Sequence, residues 1–201
     1  MQLKKKDIQM SIQMTALEIF YQQGYEKTKM SDIAKKMNMS VGNIYTYFKN
    51  KTELFYTVVP QETVLYLEEA IIATIKSYND FLVDQKKQEE VCEVITKQVE
   101  LIARRYREVV IMLDKNEGTL YKGLKEKIIN EMTEDRIMKG RLFSEALNMS
   151  EEEISLFYKI IGHGFIEMII RGLKEELCSE EERYRLCMSL IRYQLKKSEA
   201  K

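Results

Sequence analysis

Between Ser40 and Lys51 the chain reads Ser-Val-Gly-Asn-Ile-Tyr-Thr-Tyr-Phe-Lys-Asn-Lys, with two amides, four hydroxyls and two lysines in twelve residues. These groups make hydrogen bonds and charge contacts; they offer no activated nucleophile. Such groups suit binding, and a polyanion that carries bases is one partner they fit. Asn43 is a plausible base reader, because its amide can pair with adenine N6 and N7. Tyr45 and Tyr47 carry hydroxyls suited to phosphates, and Thr46 completes the same surface. Lys51 falls in the first turn of a helix, where its charge and the free N–H groups favour a phosphate. Gly42 removes a side chain where the backbone must come close either to a nucleic acid or to the preceding helix. Phosphate contacts fix register, and only groove contacts specify sequence. Taken apart from its surroundings, the Tyr-x-Tyr-Phe run also reads as an amphipathic edge, with Phe48 as core.

Catalysis finds no such support. The chain has no Gly-rich phosphate loop after a strand, no Gly-x-Ser-x-Gly and no His-Glu-x-x-His. Its one histidine, His163, sits between Gly162 and Gly164 in an apolar helical pattern and reads as a structural or interface residue. Cys92, Cys178 and Cys187 are an odd count without Cys-x-x-Cys, so neither a disulfide framework nor a zinc site is expected. The acidic runs Glu151–Glu153 and Glu180–Glu182 read as helix N-terminal charge rather than paired acids. The expectation is a protein that is not an enzyme and carries no metal and no cofactor.

Composition narrows what positions these residues. Of 201 residues, 45% are hydrophobic and 32% charged, with 1 Pro and 8 Gly, too little punctuation for an all-β fold. The expected class is all-α, with about nine helices in total. The first runs from about Lys4 to Gln23, buries Ile8, Ile12, Ala16, Ile19 and Phe20, and stops at Gly24. A short helix over 31–37 and a tight Asn38-Met39-Ser40 connection lead to a third helix capped by Ser40, with Ile44 and Phe48 inward. Asn50 and Glu53 form a capping pair that opens a fourth helix, and Pro60 interrupts it. Three helices with a three- or four-residue turn between the last two describe a helix-turn-helix module. Further helices are expected near 61–80, 87–103, 105–114, 119–147, 151–176 and 180–197. Ser150/Glu153 and Ser179/Glu182 cap the last two. The expected division is 1–50 for the reading module and 51–201 for a larger helical domain.

Charge follows that division. Residues 1–58 carry nine lysines, no arginine and five acids, a net +4, and residues 59–201 carry −4. Only the first part is suited to a polyanion. Lys4-Lys5-Lys6 is either a solvated start or an arm reaching the neighbouring backbone or minor groove. No apolar run approaches the 18 residues of a membrane span, and no signal-peptide core follows Met1, so the expected location is the cytoplasm.

The stretch from Gly24-Tyr25 through Thr28, Ser31-Asp32-Ile33-Ala34, and Met39-Ser40-Val-Gly42-Asn43-Ile44-Tyr45-Thr46-Tyr47-Phe48 to Lys51-Thr-Glu53-Leu54 resembles the TetR family of bacterial transcriptional repressors. The resemblance covers roughly residues 8–58. It implies a three-helix DNA-binding domain, a connecting fourth helix, and a helical domain that dimerises and binds a small-molecule effector. It further implies a near-palindromic double-stranded operator, release of DNA when the effector binds, and phosphate contacts at Tyr45 and Thr28. This chain departs from the pattern at Lys29, where a capping Thr is common, and at Met37-Asn38, where Ala-Gly is usual. It departs again at Val41, which stands at a frequently polar position and offers a methyl contact to thymine. The expected DNA-binding set is therefore Thr28, Lys29, Ser40, Val41, Gly42, Asn43, Tyr45, Thr46, Tyr47 and Lys51. The alternatives are a DNA-binding regulator with no effector and a helical protein-interaction domain.

Two further sets complete the reading. Tyr66, Tyr78, Phe81, Tyr106, Met112, Tyr121, Phe143 and Phe157 are candidates to line a pocket for a lipophilic or aromatic effector, beside a plain role as core. The apolar stripes of the last two helices are too broad for one subunit's core, which predicts a homodimer through Phe157, Ile161, Phe165, Met168, Ile169, Leu190 and Ile191. Gly162 and Gly172 are expected to let the facing helices approach.

Overall fold

The computed structural model describes residues 2–83, 88–139, 148–176 and 179–199, with side chains over 5–80, 92–139, 148–176 and 179–193. The described residues form ten helices and no strand. They are α1 (Gln2–Lys27), α2 (Met30–Lys36), α3 (Val41–Tyr45), α4 (Lys51–Val58) and α5 (Gln61–Val83). There follow α6 (Gln88–Arg104), α7 (Tyr106–Asp114), α8 (Leu124–Lys139), α9 (Glu151–Lys174) and α10 (Glu180–Glu199). No helix is long and apolar enough to cross a membrane among the described residues.

Local chemistry explains most boundaries. Gly24 breaks α1 at φ 82°, where an L side chain is strained, and a Cβ there would also sit 3.4 Å from the Lys115 carbonyl oxygen. Asn38 takes φ 53° in the α2–α3 turn, so an Asn makes the left-handed turn that Gly makes more easily. Ser40 accepts the Asn43 N–H at 3.2 Å, and Asn50 accepts the Glu53 N–H at 2.8 Å. Glu53 returns its carboxylate to the Lys49 N–H at 2.6 Å, one residue ahead of the expected partner. The Ser150/Glu153 and Ser179/Glu182 boxes are both closed reciprocally.

One expected helix starts late. The pattern over 119–147 begins as α8 only at Leu124. The Asn116 amide donates to the carbonyls of Met112 and Tyr121, at 2.5 and 2.7 Å, and holds the preceding segment as a turn. Gly118 and Gly123 both stand at positive φ. Residues 140–147 lie outside the described residues.

By packing, the chain separates into two compact units: residues 1–65 with 107–122, and residues 66–106 with 123–201. The first unit therefore extends beyond residue 50 and recruits α7. Phe20 meets Phe55 edge-on at 5.0 Å, and Tyr25 meets Phe55 at 4.9 Å, which ties α1 to α4. Val109 to Met112 are fully buried, the Tyr121 hydroxyl donates to the Val59 carbonyl at 2.7 Å, and Arg107 pairs with Glu18 at 2.6 Å. Ile12, Ala16, Ile33, Ile44 and Phe48 complete this core, on the stripes read from the sequence.

The second unit is built on α5, α6, α8, α9 and α10. Leu67 and Ile75, Ile95 and Val99, Ile128 and Ile129, Ile166 and Ile170, and Cys187 and Ile191 supply its buried face. The α8–α9 pair runs antiparallel, with Lys125 on Glu167 at 2.6 Å and a Cβ at Gly162 falling 3.3 Å from Ile129.

Candidate nucleic-acid interface

Helix α3 is a five-residue helix whose inner anchors are Ile44, fully buried, and Phe48 just beyond its end. Fixing those two turns the remaining positions outward. Ser40, Val41, Gly42, Asn43, Tyr45 and Thr46 are exposed and Tyr47 is half-buried. Val41 and Tyr45 are among the exposed large hydrophobics, at 37% and 48%.

The cap also shapes the reader. Ser40 spends its oxygen on the Asn43 backbone N–H, which leaves the Asn43 side-chain amide free of that duty. Thr46 donates its hydroxyl to the Asn43 carbonyl at 2.7 Å and keeps lone pairs only, so it cannot donate to a phosphate without breaking that bond. A Cβ at Gly42 would meet nothing closer than Ser40 Oγ at 3.9 Å. Close packing against the preceding helix therefore does not explain this glycine.

Two expected phosphate ligands are engaged within the fold. Thr28 is 1% exposed, and its hydroxyl donates to the Gly24 carbonyl at 2.7 Å while its N–H donates to the Tyr25 carbonyl. Both donors are spent, so Thr28 anchors the end of α1 and has none left for a phosphate. Lys51 is half-buried and donates to the carbonyls of Tyr25 and Glu26, at 2.9 and 3.4 Å, with its nitrogen 4.2 Å above the Tyr25 ring. It closes the carbonyl end of α1 first, with at most one N–H left over. Sequence reasoning could not see this, because the partners lie 25 and 26 residues away.

Lys29 is exposed and supplies no acceptor to α2. The Asp32 carboxylate takes the Lys29 N–H at 2.9 Å, so the helix opens on half a capping box. Lys35, Lys36 and Lys49 are further exposed cations of this unit that the motif reading passed over. The lysine excess of residues 1–58 was the signal for them.

The residues read as an effector lining are divided between the units. Met112 and Tyr121 are buried in the first, where burial and the nearby Tyr56 push the Tyr121 phenol up to about 12. In the second, Tyr78 packs on Phe165 at 5.8 Å, Phe157 on Tyr158 at 5.4 Å, and Tyr106 carries the Arg183 guanidinium at 3.7 Å. Tyr66 is 60% exposed. The side chain of Phe81 and the whole of Phe143 lie outside the described residues. A cavity of about 400 Å³ is lined by Glu100, Glu180, Glu181 and Tyr184, none of which was expected there.

The residues read as a dimer seam are also redistributed. Phe165 and Ile191 are buried within their own unit, and Phe157, Met168, Ile169 and Leu190 are half-buried. Ile161 is 52% exposed, and it is joined by Leu156 and Ile160, at 60% and 62%. The free apolar stripe of α9 is thus turned from the expected one. Gly162 and Gly172 face α8 and α10 of the same chain, with a Cβ at Gly172 only 3.0 Å from Leu190 Cδ1, so the close approach they permit is internal.

Comparison with known proteins finds likeness in the first part of the chain. Residues 12–58, from mid-α1 to the end of α4, match the family model described as bacterial regulatory proteins, tetR family. The fatty acid metabolism regulator protein of Bacillus subtilis (strain 168) is 26% identical over 140 residues, 69% of this chain and 64% of that one. An HTH-type transcriptional regulator of the same organism, YhgD, is 42% identical over 59 residues, 28% of this chain and 31% of that one. An HTH-type transcriptional regulator of Staphylococcus aureus (strain USA300) is 29% identical over 62 residues, 31% of this chain and 34% of that one. The matches thus span less than two thirds of each relative's own length. Over residues 12–58, then, the chain is similar to the tetR family of bacterial regulatory proteins.

Proposed function

We propose that this protein is a sequence-specific DNA-binding transcriptional regulator that reads a near-palindromic operator as a homodimer. The observation that carries the reading is α3. Buried Ile44 and Phe48 lock it, and Val41, Gly42, Asn43 and Tyr45 are turned to solvent on a lysine-rich unit. A short helix presented this way enters a major groove with its first residues on base edges. Asn43 reads a base, Val41 touches a thymine methyl, and Gly42 lets the backbone close on the duplex. Tyr45, Tyr47 and Lys29 fix register on phosphates, with the last N–H of Lys51 behind them. Selection of bound duplexes from a random pool tests this, since it demands one recurring motif and reads it at once.

The finer reading is a repressor released by a lipophilic or aromatic effector held in the second unit. Release requires that the effector bind the DNA-incompetent state more tightly, and the extent of induction is bounded by that difference. The exposed Leu156, Ile160 and Ile161 support two-fold pairing through α9, which would give two reading heads for two half-sites. A second reading, a dimeric DNA-binding protein with no effector, is favoured by the use of Met112 and Tyr121 as plain core. A thermal-shift screen separates the two: an effector raises the melting temperature because it binds the folded state.

A further inference from the structure

Among the described residues, the buried side-chain polar atoms without a hydrogen-bond partner are Arg136 Nη1, the Tyr158 hydroxyl and Arg183 Nε. All three lie in the second unit, and all can donate. Two of them belong to one stacked pair: the Arg136 guanidinium carbon stands 5.5 Å from the centre of the Tyr158 ring. Tyr158 is only 6% exposed. The antiparallel register of α8 and α9 brings these residues together. Lys125 faces Glu167, Ile129 faces Gly162, and Arg136 then falls opposite Tyr158 near the end of α8.

Two acids near this level of α8, Asp135 and Asp80, are already committed. Asp135 accepts the Asn79 amide at 2.7 Å and the Lys139 ammonium at 2.9 Å, and Lys139 also holds Asp80 at 2.7 Å. Among the described residues, Arg136 is thus left with an aromatic face and no ion pair. Two buried donors without an acceptor cost stability that a fold does not normally give up. An acceptor-only group arriving from outside satisfies both. A carboxylate does so best, since it accepts from a guanidinium and a phenol with separate lone pairs. The surroundings select the rest of the molecule: Phe157 lies against Tyr158, and Met132 stands one turn before Arg136.

We propose that the second unit binds a small organic acid with an apolar body, its carboxylate held by Arg136 and Tyr158. This deepens the effector half of the function proposed above and rests on it for any effect on DNA. Binding itself is read without DNA, so it fails or stands separately. Hexanoate and benzoate are titrated calorimetrically into the full chain, with hexanol and inorganic phosphate as parallel arms. Saturable binding of a carboxylate at one site per chain is expected, at least tenfold weaker in Arg136→Gln, with none for hexanol. Tyr158→Phe removes an unpaired buried hydroxyl, so it should raise the melting temperature of the empty protein while weakening carboxylate binding severalfold. Binding of phosphate alone overturns the proposal. So does the absence of saturable binding by both carboxylates, and a lowered melting temperature in Tyr158→Phe would then assign the two donors to internal water.

Discussion

Lys51 has three N–H donors, and two are spent on the carbonyls of Tyr25 and Glu26. Its replacement should therefore act twice. Lys51→Met is expected to lower stability by about 1 kcal/mol in denaturant titration, from lost charge-assisted hydrogen bonds at a half-exposed site. It should also weaken binding to all duplexes alike, with a salt slope lower by about one. An unchanged slope removes Lys51 from the phosphate contacts and leaves it structural. Tyr121 makes the complementary case in the core. Its phenol is pushed up to about 12, against an ordinary value of 10.0, by burial first and by Tyr56 second. A phenol whose folded value is raised stabilises the fold below the unfolded value, and that contribution is lost as pH rises between the two. Absorbance titration should thus show one tyrosine ionising late, near pH 12, and Tyr121→Phe should remove that late step. Cys187 follows the same logic, with burial raising its thiol to about 11 against the opposing pull of Arg183. Iodoacetamide should modify exposed Cys92 and spare Cys187 until the chain unfolds. At this scale the sequence was legible where partners are local: the caps at Ser40, Asn50, Ser150 and Ser179 all form. The intrachain bonds of Thr28 and Lys51 were not legible, because no pattern in a helix shows that a neighbouring chain end will take its donors.

At the scale of the element, the decisive feature is the phase of the α9 stripe. Its apolar positions run round too much of the helix for periodicity to say which third faces inward. The structure buries Ile154, Tyr158, Phe165 and Ile170 and leaves Leu156, Ile160 and Ile161 outside. A charge at Ile160 should consequently split the proposed homodimer without unfolding the subunit, since the side chain is 62% exposed. Sedimentation of Ile160→Glu is expected to give a folded monomer, and operator affinity should fall with it. A wild-type monomer at micromolar concentration would remove the dimer altogether. Gly172 gives a test of the internal packing instead. A Cβ there meets Leu190 Cδ1 at 3.0 Å and Leu186 Cδ2 at 3.7 Å, which forces side-chain shifts in α10. Gly172→Ala should cost on the order of 1 kcal/mol by overpacking, offset in part by the better helix propensity of Ala. The helices themselves were legible, because caps and apolar spacing agree over long stretches. The start of α8 was not, because the Asn116 turn depends on carbonyls that its own fold brings within reach.

Across the whole molecule, zero net charge conceals a first stretch at +4 and a remainder at −4. That asymmetry favours a polyanion at one place and leaves the rest of the surface neutral to repulsive. The expected consequence is DNA affinity that falls steeply with salt while base preference persists. The family was legible because its signature is contiguous and lies on residues whose roles are local. The lining of an effector pocket was not legible, since an aromatic or Met side chain packs a core and lines a pocket with the same composition. The central claim is that α3 reads bases through Asn43. It is tested by titrating purified wild-type protein and Asn43→Ala against the duplex recovered by selection, alongside single-base variants of it. Wild type should discriminate against substitutions at one position of each half-site, and Asn43→Ala should lose about 1–3 kcal/mol of discrimination at that position alone. Equal discrimination by the two proteins at every position, or no preferred duplex for the wild type, would contradict the account.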